Sequence, residues 1–558
     1  MRARVTARHL AMVAASVAAG VLLARCGGGG SPGDNVRVKT FAPVDALTKA
    51  EVERIVDAAA RSIDAPRLAI AVVDRIGNIL MVWNRDPGST LAAPDNAIAT
   101  SLARTAAYMS HSQAPLTSRT EQFLNANHFP ATFDTRTYGF PDVPMGADPS
   151  PLAPQRLLTG VRFTGLAPLF LITYSNRGGT VLAYGAEKEI PLLTNPDGTR
   201  PTPGFTPLPG GVPLYKSTAG PFDVKRRLVG AIGVYSTDAA GDPLPELSEF
   251  AAFAGSQVTP DFSFGPIPLE GAVFLGGILL PYVGQATRPA GFGEGDFDGL
   301  VLMPAAGGKP DPFDYLIAPR DSATSVFTAA EVRTLVEECV RASNETHAAI
   351  RLPAESACQM FITVTDLRGE VLALFRQEDA TLFSLEISLS KARNAVYFSD
   401  RNSVDCEGPR KGQHPLAGIV PPGTAVTART LGFLATPFYP PVIDGNEPGP
   451  LRDLAEFNAI PQNFNRMGFA PPVTDDSQSG IIFFPGSAPL YRNGVLIGGL
   501  GVSGDGVEQD DLVTSLGIQR AQRILGFTLE PPPEIRCDRF EFRDVKLPYF
   551  KFPQNPGG

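Results

Sequence analysis

The sequence is poor in the residues from which metal and redox sites are usually made. Its 558 residues hold 5 cysteines and 5 histidines, and none of them falls into CxxC, CxxCH or HExxH. The common zinc-ligand spacing and the c-type haem attachment signal are therefore missing. Charge is sparse as well: Asp, Glu, Lys and Arg make up 19% of the chain, below the usual ~25%. With 48 basic against 57 acidic residues, a net charge of −9 and no long basic run, the chain lacks the footprint of a protein that binds nucleic acid through its phosphates. The apolar runs at 10–24 and 271–280 fall short of the ~20 residues of an ordinary membrane helix.

Glycine and proline are abundant instead. Gly 56 and Pro 53 fill close to a fifth of the chain, against about 12% in average usage. Without a Gly-X-Y period this is not collagen, and 43% hydrophobic residues exclude wholesale disorder. At roughly 150 residues per domain the length calls for two or more cores. The expectation is a loop-rich globular protein.

Arg2, Arg4 and Arg8 precede the apolar run Leu10 to Ala24, then Cys26 and Gly27 to Gly33. That is the layout of an export signal, which predicts a periplasmic or cell-envelope location. Leu22-Leu23-Ala24-Arg25-Cys26-Gly27 resembles a bacterial lipobox with Cys26 as the lipidated residue, although Arg25 departs from the small residue expected there. Lipidation would be the membrane contact; ordinary cleavage is the alternative. Cys339, Cys358, Cys406 and Cys537 would then remain, with three pairings open to them.

The chain repeats itself. Leu47-Thr48-Lys49-Ala50-Glu51-Val52 returns as Phe327-Thr328-Ala329-Ala330-Glu331-Val332, each with the Thr-x-x-Glu spacing of a capping box. Apolar residues then recur at helical intervals, and Cys339 sits in the apolar stripe where the first copy has Ala59, as a buried thiol or a disulfide partner would. A strand, turn and strand follow in each copy, Leu68 to Trp83 and Gln359 to Phe375, with Asp74 and Asp366 as turn formers. Next come helices through 97–109 and 383–398, in which Arg104 matches Arg393 and Leu102 matches Lys391. Leu116-Thr117-Ser118-Arg119-Thr120 matches Val426-Thr427-Ala428-Arg429-Thr430, read as turns. After long Pro-rich and Gly-rich connections near 125–209 and 434–480, each copy closes with a hairpin and a terminal helix near 247–254 or 510–525.

Consecutive hairpins predict a mainly antiparallel sheet in an α+β layer structure. The boundaries read as a signal over 1–26, a linker over 27–46, domains at 47–255 and 327–525, a connecting segment at 256–326 whose strand or hairpin packs on the first domain, and a tail at 526–558. If the unit otherwise self-associates, duplication would place an isologous interface inside one chain.

The opening helices, the Ala69 to Asp74 strand with Gly77, the Ser384 to Ala392 helix and above all the closing Pro489-Leu490-Tyr491-Arg492-Asn493-Gly494 hairpin through Gly504 resemble the GlcG/HbpS haem-binding family. The resemblance implies two tandem profilin-like domains, frequent homo-oligomerisation and haem as cofactor, with haem degradation or redox sensing among relatives. The second copy is nearer the pattern.

A haem site needs an apolar slot, a basic anchor and usually an axial side chain. His111, His128 and His414 are the candidate axial residues, with ordinary hydrogen-bonded histidines as the alternative. Thr117 and Thr427 offer weak hydroxyl ligation. Arg104, Arg119, Lys391, Arg393 and Arg429 could grip propionates, or serve as helix-face and loop salt bridges. Gly499-Leu500-Gly501-Val502-Ser503-Gly504 spells GxGxxG, yet its match at 231–236 breaks the pattern, and close strand packing explains the glycines better. Asp296-Phe297-Asp298-Gly299 lacks the other ligands of a calcium loop. No nucleophile–base pair stands out, so binding, storage or sensing of haem is favoured over turnover. An envelope module without haem and a reductant-dependent haem-degrading enzyme are the alternatives.

Overall fold

Thr48 and Glu51 cap each other's backbone, the Thr48 amide donating to the Glu51 carboxylate at 2.7 Å and the Glu51 amide to the Thr48 hydroxyl at 3.3 Å. Thr328 and Glu331 repeat the arrangement. These boxes start the opening helix of each half, and the Val52, Ile55, Val56 and Val332, Leu335, Val336 stripes are buried.

The computed structural model describes residues 39–40, 46–89, 92–127, 208–217, 226–258, 273–275, 278–353, 355–401, 414–436, 438–441, 446–452 and 482–551. In chain order the first half holds β1 (Lys39–Thr40), α1 (Lys49–Arg61), β2 (Arg67–Asp74), β3 (Ile79–Asn84), α2 (Ala92–Met109), α3 (Ser118–Asn127), β4 (Gly211–Ser217), β5 (Arg226–Thr237) and α4 (Pro245–Ser256). Short strands β6 (Phe274–Leu275), β7 (Ile278–Leu279), β8 (Leu300–Met303) and β9 (Pro312–Ile317) follow. The second half holds α5 (Ala329–Asn344), β10 (Phe361–Thr365), β11 (Val371–Arg376), α6 (Ser384–Ser399), α7 (Ala428–Leu434), β12 (Ser487–Arg492), β13 (Val495–Ser503) and α8 (Val507–Leu525), then β14 (Glu541–Phe542) and β15 (Val545–Lys546). The signal, Cys26, His128, Cys406 and most of both long connections lie outside the described residues.

Two antiparallel sheets result, ordered β4-β5-β2-β3-β8 and β12-β13-β10-β11-β9-β1. Their registers correspond residue for residue: Ala71 faces Gly233 as Thr363 faces Gly501, and both β2–β3 and β10–β11 shift register one step before their turn. Each sheet is covered on both faces. Ile70 and Val72 pack towards α1 and α4, while Ala69 and Ala71 pack towards α2, which is why the whole of β2 is buried. Asp74 and Asp366 form the turns, each accepting two backbone amides on one carboxylate oxygen. The glycines of the GxGxxG stretch serve packing: a Cβ at Gly501 would lie 1.9 Å from the Ser388 carbonyl oxygen.

One expectation needs correction. Thr117 and Thr427 do not lie in simple turns: they precede α3 and α7, and Thr427 is the N-cap of α7. The described part of 271–280 forms the β6–β7 hairpin on the first half, as expected, and beyond it β8 extends the first sheet beside β3 while β9 joins the second beside β11. β1, which opens the first half, adds outside β9 and so ties Lys39–Thr40 to the second sheet. Cys339, Cys358 and Cys537 are buried free thiols and not disulfides. No described helix is long and apolar enough to cross a membrane.

Candidate functional site

The densest polar structure is the seam between the halves. Asp379 follows β11 and accepts the Ser112 amide at 2.9 Å and the Ser112 hydroxyl at 2.8 Å, both from the turn after α2. Arg351 donates to Asp379 at 2.7 Å and to the Gln113 amide oxygen at 3.0 Å, and its Nε pairs with Asp505. Below this, Asp311 lies between Arg75 and Arg376, and both guanidiniums donate to the Ala380 carbonyl. Burial pushes the Asp379 carboxyl upward, but Arg351, His111 and Arg75 outweigh it and hold it below the ordinary range. The positions matching Asp379 and Ser112 in the other half are Pro87 and Arg401. These carry neither the carboxylate nor the hydroxyl, so the bond has no reciprocal and an isologous contact is not reproduced.

Four recurrent candidates turn out to hold a strap. Thr117 donates to the Tyr282 carbonyl at 2.5 Å and Thr120 to the Pro281 carbonyl at 2.6 Å. In the second half Thr427 donates to the Tyr549 carbonyl at 2.5 Å and Thr430 to the Pro548 carbonyl at 2.8 Å. Arg119 pairs with Glu249 at 2.6 Å, and the Glu249 carboxylate takes the Gln285 amide at 2.8 Å. Arg429 pairs with Asp511 at 2.7 Å, and that carboxylate takes the Lys551 amide at 2.8 Å. Both straps are two-residue-stranded hairpins, β6–β7 and β14–β15, ending in Leu-Pro-Tyr at 280–282 and 547–549. The Leu280 and Leu547 amides close them onto the Val273 and Phe540 carbonyls. The shared role of these threonines and arginines is thus to fasten a duplicated strap, whose three-residue motif was the sequence signal that could have revealed it.

Lys391 is fully buried on α6. Its ammonium donates to Asp510 on α8 at 2.8 Å and to the Val502 carbonyl at 2.9 Å, and lies 4.7 Å from the Phe484 ring centre. Burial pushes its pKa down, opposed by Asp510. Burial pushes the Asp510 carboxyl up to about 7, against the pull of Lys391. One oxygen of Asp510 and one of Asp505 have no hydrogen-bond partner among the described residues.

The remaining candidates are committed elsewhere. Arg104 and Arg393 hold the β-turn carbonyls of Gly77 and Gly369 at 3.2 and 2.9 Å. His111 Nδ1 accepts the Ala114 and Gln113 amides at 3.1 and 3.3 Å, which places its proton on Nε2. Burial, then Arg351, keeps the ring neutral by holding its pKa well below 6.5. His414 accepts the Leu416 amide and packs against Tyr397 and Phe398. An open cleft beside β9 and β11, lined by Phe313, Phe375, Asn344, Gln359 and Gln377, measures about 270 Å³, under the ~300–1,000 Å³ of typical ligand pockets. No cluster of ligating side chains suited to a metal ion occurs among the described residues.

The matches to known proteins cover part of the chain. No curated protein matches it. Among solved structures, the PduOC:heme complex shares 19% identity over 36% of this chain and 96% of its own, with a TM-score of 0.21. Protein ORFY of Klebsiella pneumoniae shares 18% over 36% and 94%, also at 0.21. Residues 450–519, which contain β12, β13 and the first turns of α8, match the family model described as haem degrading protein HbpS-like.

Proposed function

We propose that the protein binds haem or a related tetrapyrrole, as an exported binding, storage or sensing protein and not primarily as an enzyme. The observation that carries this reading is the HbpS-like match over 450–519, in the second half. Export is supported by the Arg-rich start, the apolar run to Ala24 and Cys26.

The described candidates do not fit a haem. The ring nitrogens of His111 are spent on backbone amides or buried, the two threonine hydroxyls donate to the straps, and Arg119 and Arg429 are paired with carboxylates. The reading therefore assigns neither an iron ligand nor a propionate anchor among them. The same observation favours a second reading, an envelope module of this fold that takes another small molecule.

Titration of the mature protein with hemin separates the two. A saturable Soret shift at micromolar hemin is expected; no shift overturns the first reading and leaves the second. Following the Soret band after adding a reductant then tests turnover, with a stable band expected for binding or storage.

A further inference from the structure

The two straps show one hairpin carrying two different outer faces. The Leu280 and Leu547 amides close them onto the Val273 and Phe540 carbonyls, so residues 273–282 correspond one to one with 540–549. The second hairpin is amphipathic. Phe542 and Val545 pack against the core, Phe542 on the Tyr439 ring, while Glu541 and Lys546 pair across the strands and are exposed. With Arg543 and Asp544 between the strands, four of the six residues at 541–546 are charged.

In the first hairpin the same register pairs Phe274 with Leu279. Val273 and Leu280 are buried in the core, yet Phe274 and Leu279, one step outward, are 49% and 54% exposed. The strands therefore leave the core at 273 and 280 and carry apolar side chains into water. No Asp, Glu, Lys or Arg occurs between 271 and 287. Fastening the strap does not require this, because the second strap makes the same threonine and arginine bonds with Glu541 and Lys546 outside. Adjacent exposed apolar side chains of this kind mark a contact surface.

We infer that the β6–β7 hairpin is a membrane-surface wedge, with Phe274 and Leu279 seated in the interface of a lipid bilayer. A protein partner is the poorer match. The half-exposed Phe274 and Leu279 offer on the order of 100 Å² each, far short of the ~800 Å² that each side buries in a stable complex. A bilayer asks for no matching surface, only for apolar side chains free of charge. Strands of two residues fall well below the ~9–11 of a spanning strand, so the hairpin lies in the interface and does not cross. The inference extends the export reading and is independent of haem. Cys26 stands 13 residues ahead of Lys39, so a lipid on it would hold Lys39 within about 45 Å of the bilayer, and such tethering raises the effective concentration of lipid at a weak second contact.

The test gives the first strap the outer face of the second. The mature protein, without the apolar run at 10–24 and without lipid, is floated with vesicles of phosphatidylethanolamine and phosphatidylglycerol. Wild-type protein is expected to float with the vesicles and to remain bound at high salt, since burial of apolar groups is not screened. Phe274→Glu with Leu279→Lys is expected to melt as the wild type does, because the second strap already folds with that pair in that register, and to bind vesicles at least tenfold more weakly. Leu279→Lys by itself should weaken binding in the same direction and decides the matter if the double variant does not fold. Light scattering should show the same oligomeric state in all three. No flotation of the wild type, or equal flotation of a folded variant, overturns the inference. So does a wild-type oligomer that dissociates in the double variant while vesicle binding is unchanged, which would make a second copy the occupant. Retention of the full-length chain in the cytosol would overturn the export reading and leave the vesicle result as it is.

Discussion

The Asp379 carboxylate of the second half receives both the amide and the hydroxyl of Ser112 in the first, while Arg351 reaches the same carboxylate at 2.7 Å. Removing it takes one of the two carboxylates from the fully buried Arg351 guanidinium and leaves it only Asp505. Asp379→Ala is expected to cost about 3 kcal/mol, as breaking buried ion pairs does, measured by denaturant unfolding. Because the folded carboxyl titrates below its ordinary 3.8, its contribution is complete above that value and is lost as the pH falls below about 4. The variant's stability should therefore fall less steeply in acid than the wild type's.

The straps predict a paired result. Thr427→Val removes the N-cap of α7 and one strap bond together, so a loss of about 1 kcal/mol or somewhat more is expected. Hydrogen exchange should accelerate at 547–551 and not at 280–285. Thr117→Val should reverse that pattern. Exchange changes confined to α7 and α3 would show that the strap contacts are incidental.

Asp510 predicts the opposite slope from Asp379. Its carboxyl, raised from 3.8 to about 7, holds a proton in the folded chain that the unfolded chain has released. Its stabilising contribution is therefore complete below about pH 4 and is lost as the pH rises through 7. Asp510→Ser should remove this component, which a comparison of unfolding free energies at pH 5 and pH 7.5 would register.

Gly501→Ala tests the packing role of the GxGxxG stretch. The added methyl would sit 1.9 Å from the Ser388 carbonyl oxygen and 2.6 Å from the Ala392 nitrogen, both helix backbone, so α6 must move off the sheet. A loss of at least about 2 kcal/mol is expected. A melting temperature unchanged within a degree or two would contradict this seating.

Local chemistry made much of this legible in the sequence. The capping boxes at Thr48 and Thr328, the turns at Asp74 and Asp366 and the closing hairpins are all encoded within a few residues of where they act. The recurrence of Arg119 with Arg429 was visible too, but its meaning was not, because the partners Glu249 and Asp511 lie 130 and 82 residues away. The straps escaped for a similar reason: strands of two residues have no periodicity, and the repeated Leu-Pro-Tyr was their one signal in the sequence. Asp379 and Ser112 had no signal, since they are 267 residues apart and neither is repeated. For the histidines, sequence could name the rings but not reveal that backbone amides had already claimed His111.

The straps also impose an order of events during synthesis. Each half recruits its strap from residues made after its last helix, at 280–285 and 547–551. The first half can therefore be sealed, and completed by β8 at Leu300–Met303, before any strand of the second sheet but β1 has been translated. The second half must wait for residues close to 551 and meanwhile keeps Thr427, Thr430 and the Cys537 thiol uncovered. Nascent chains arrested between about 310 and 540 should accordingly pair one protected half with one protease-sensitive half.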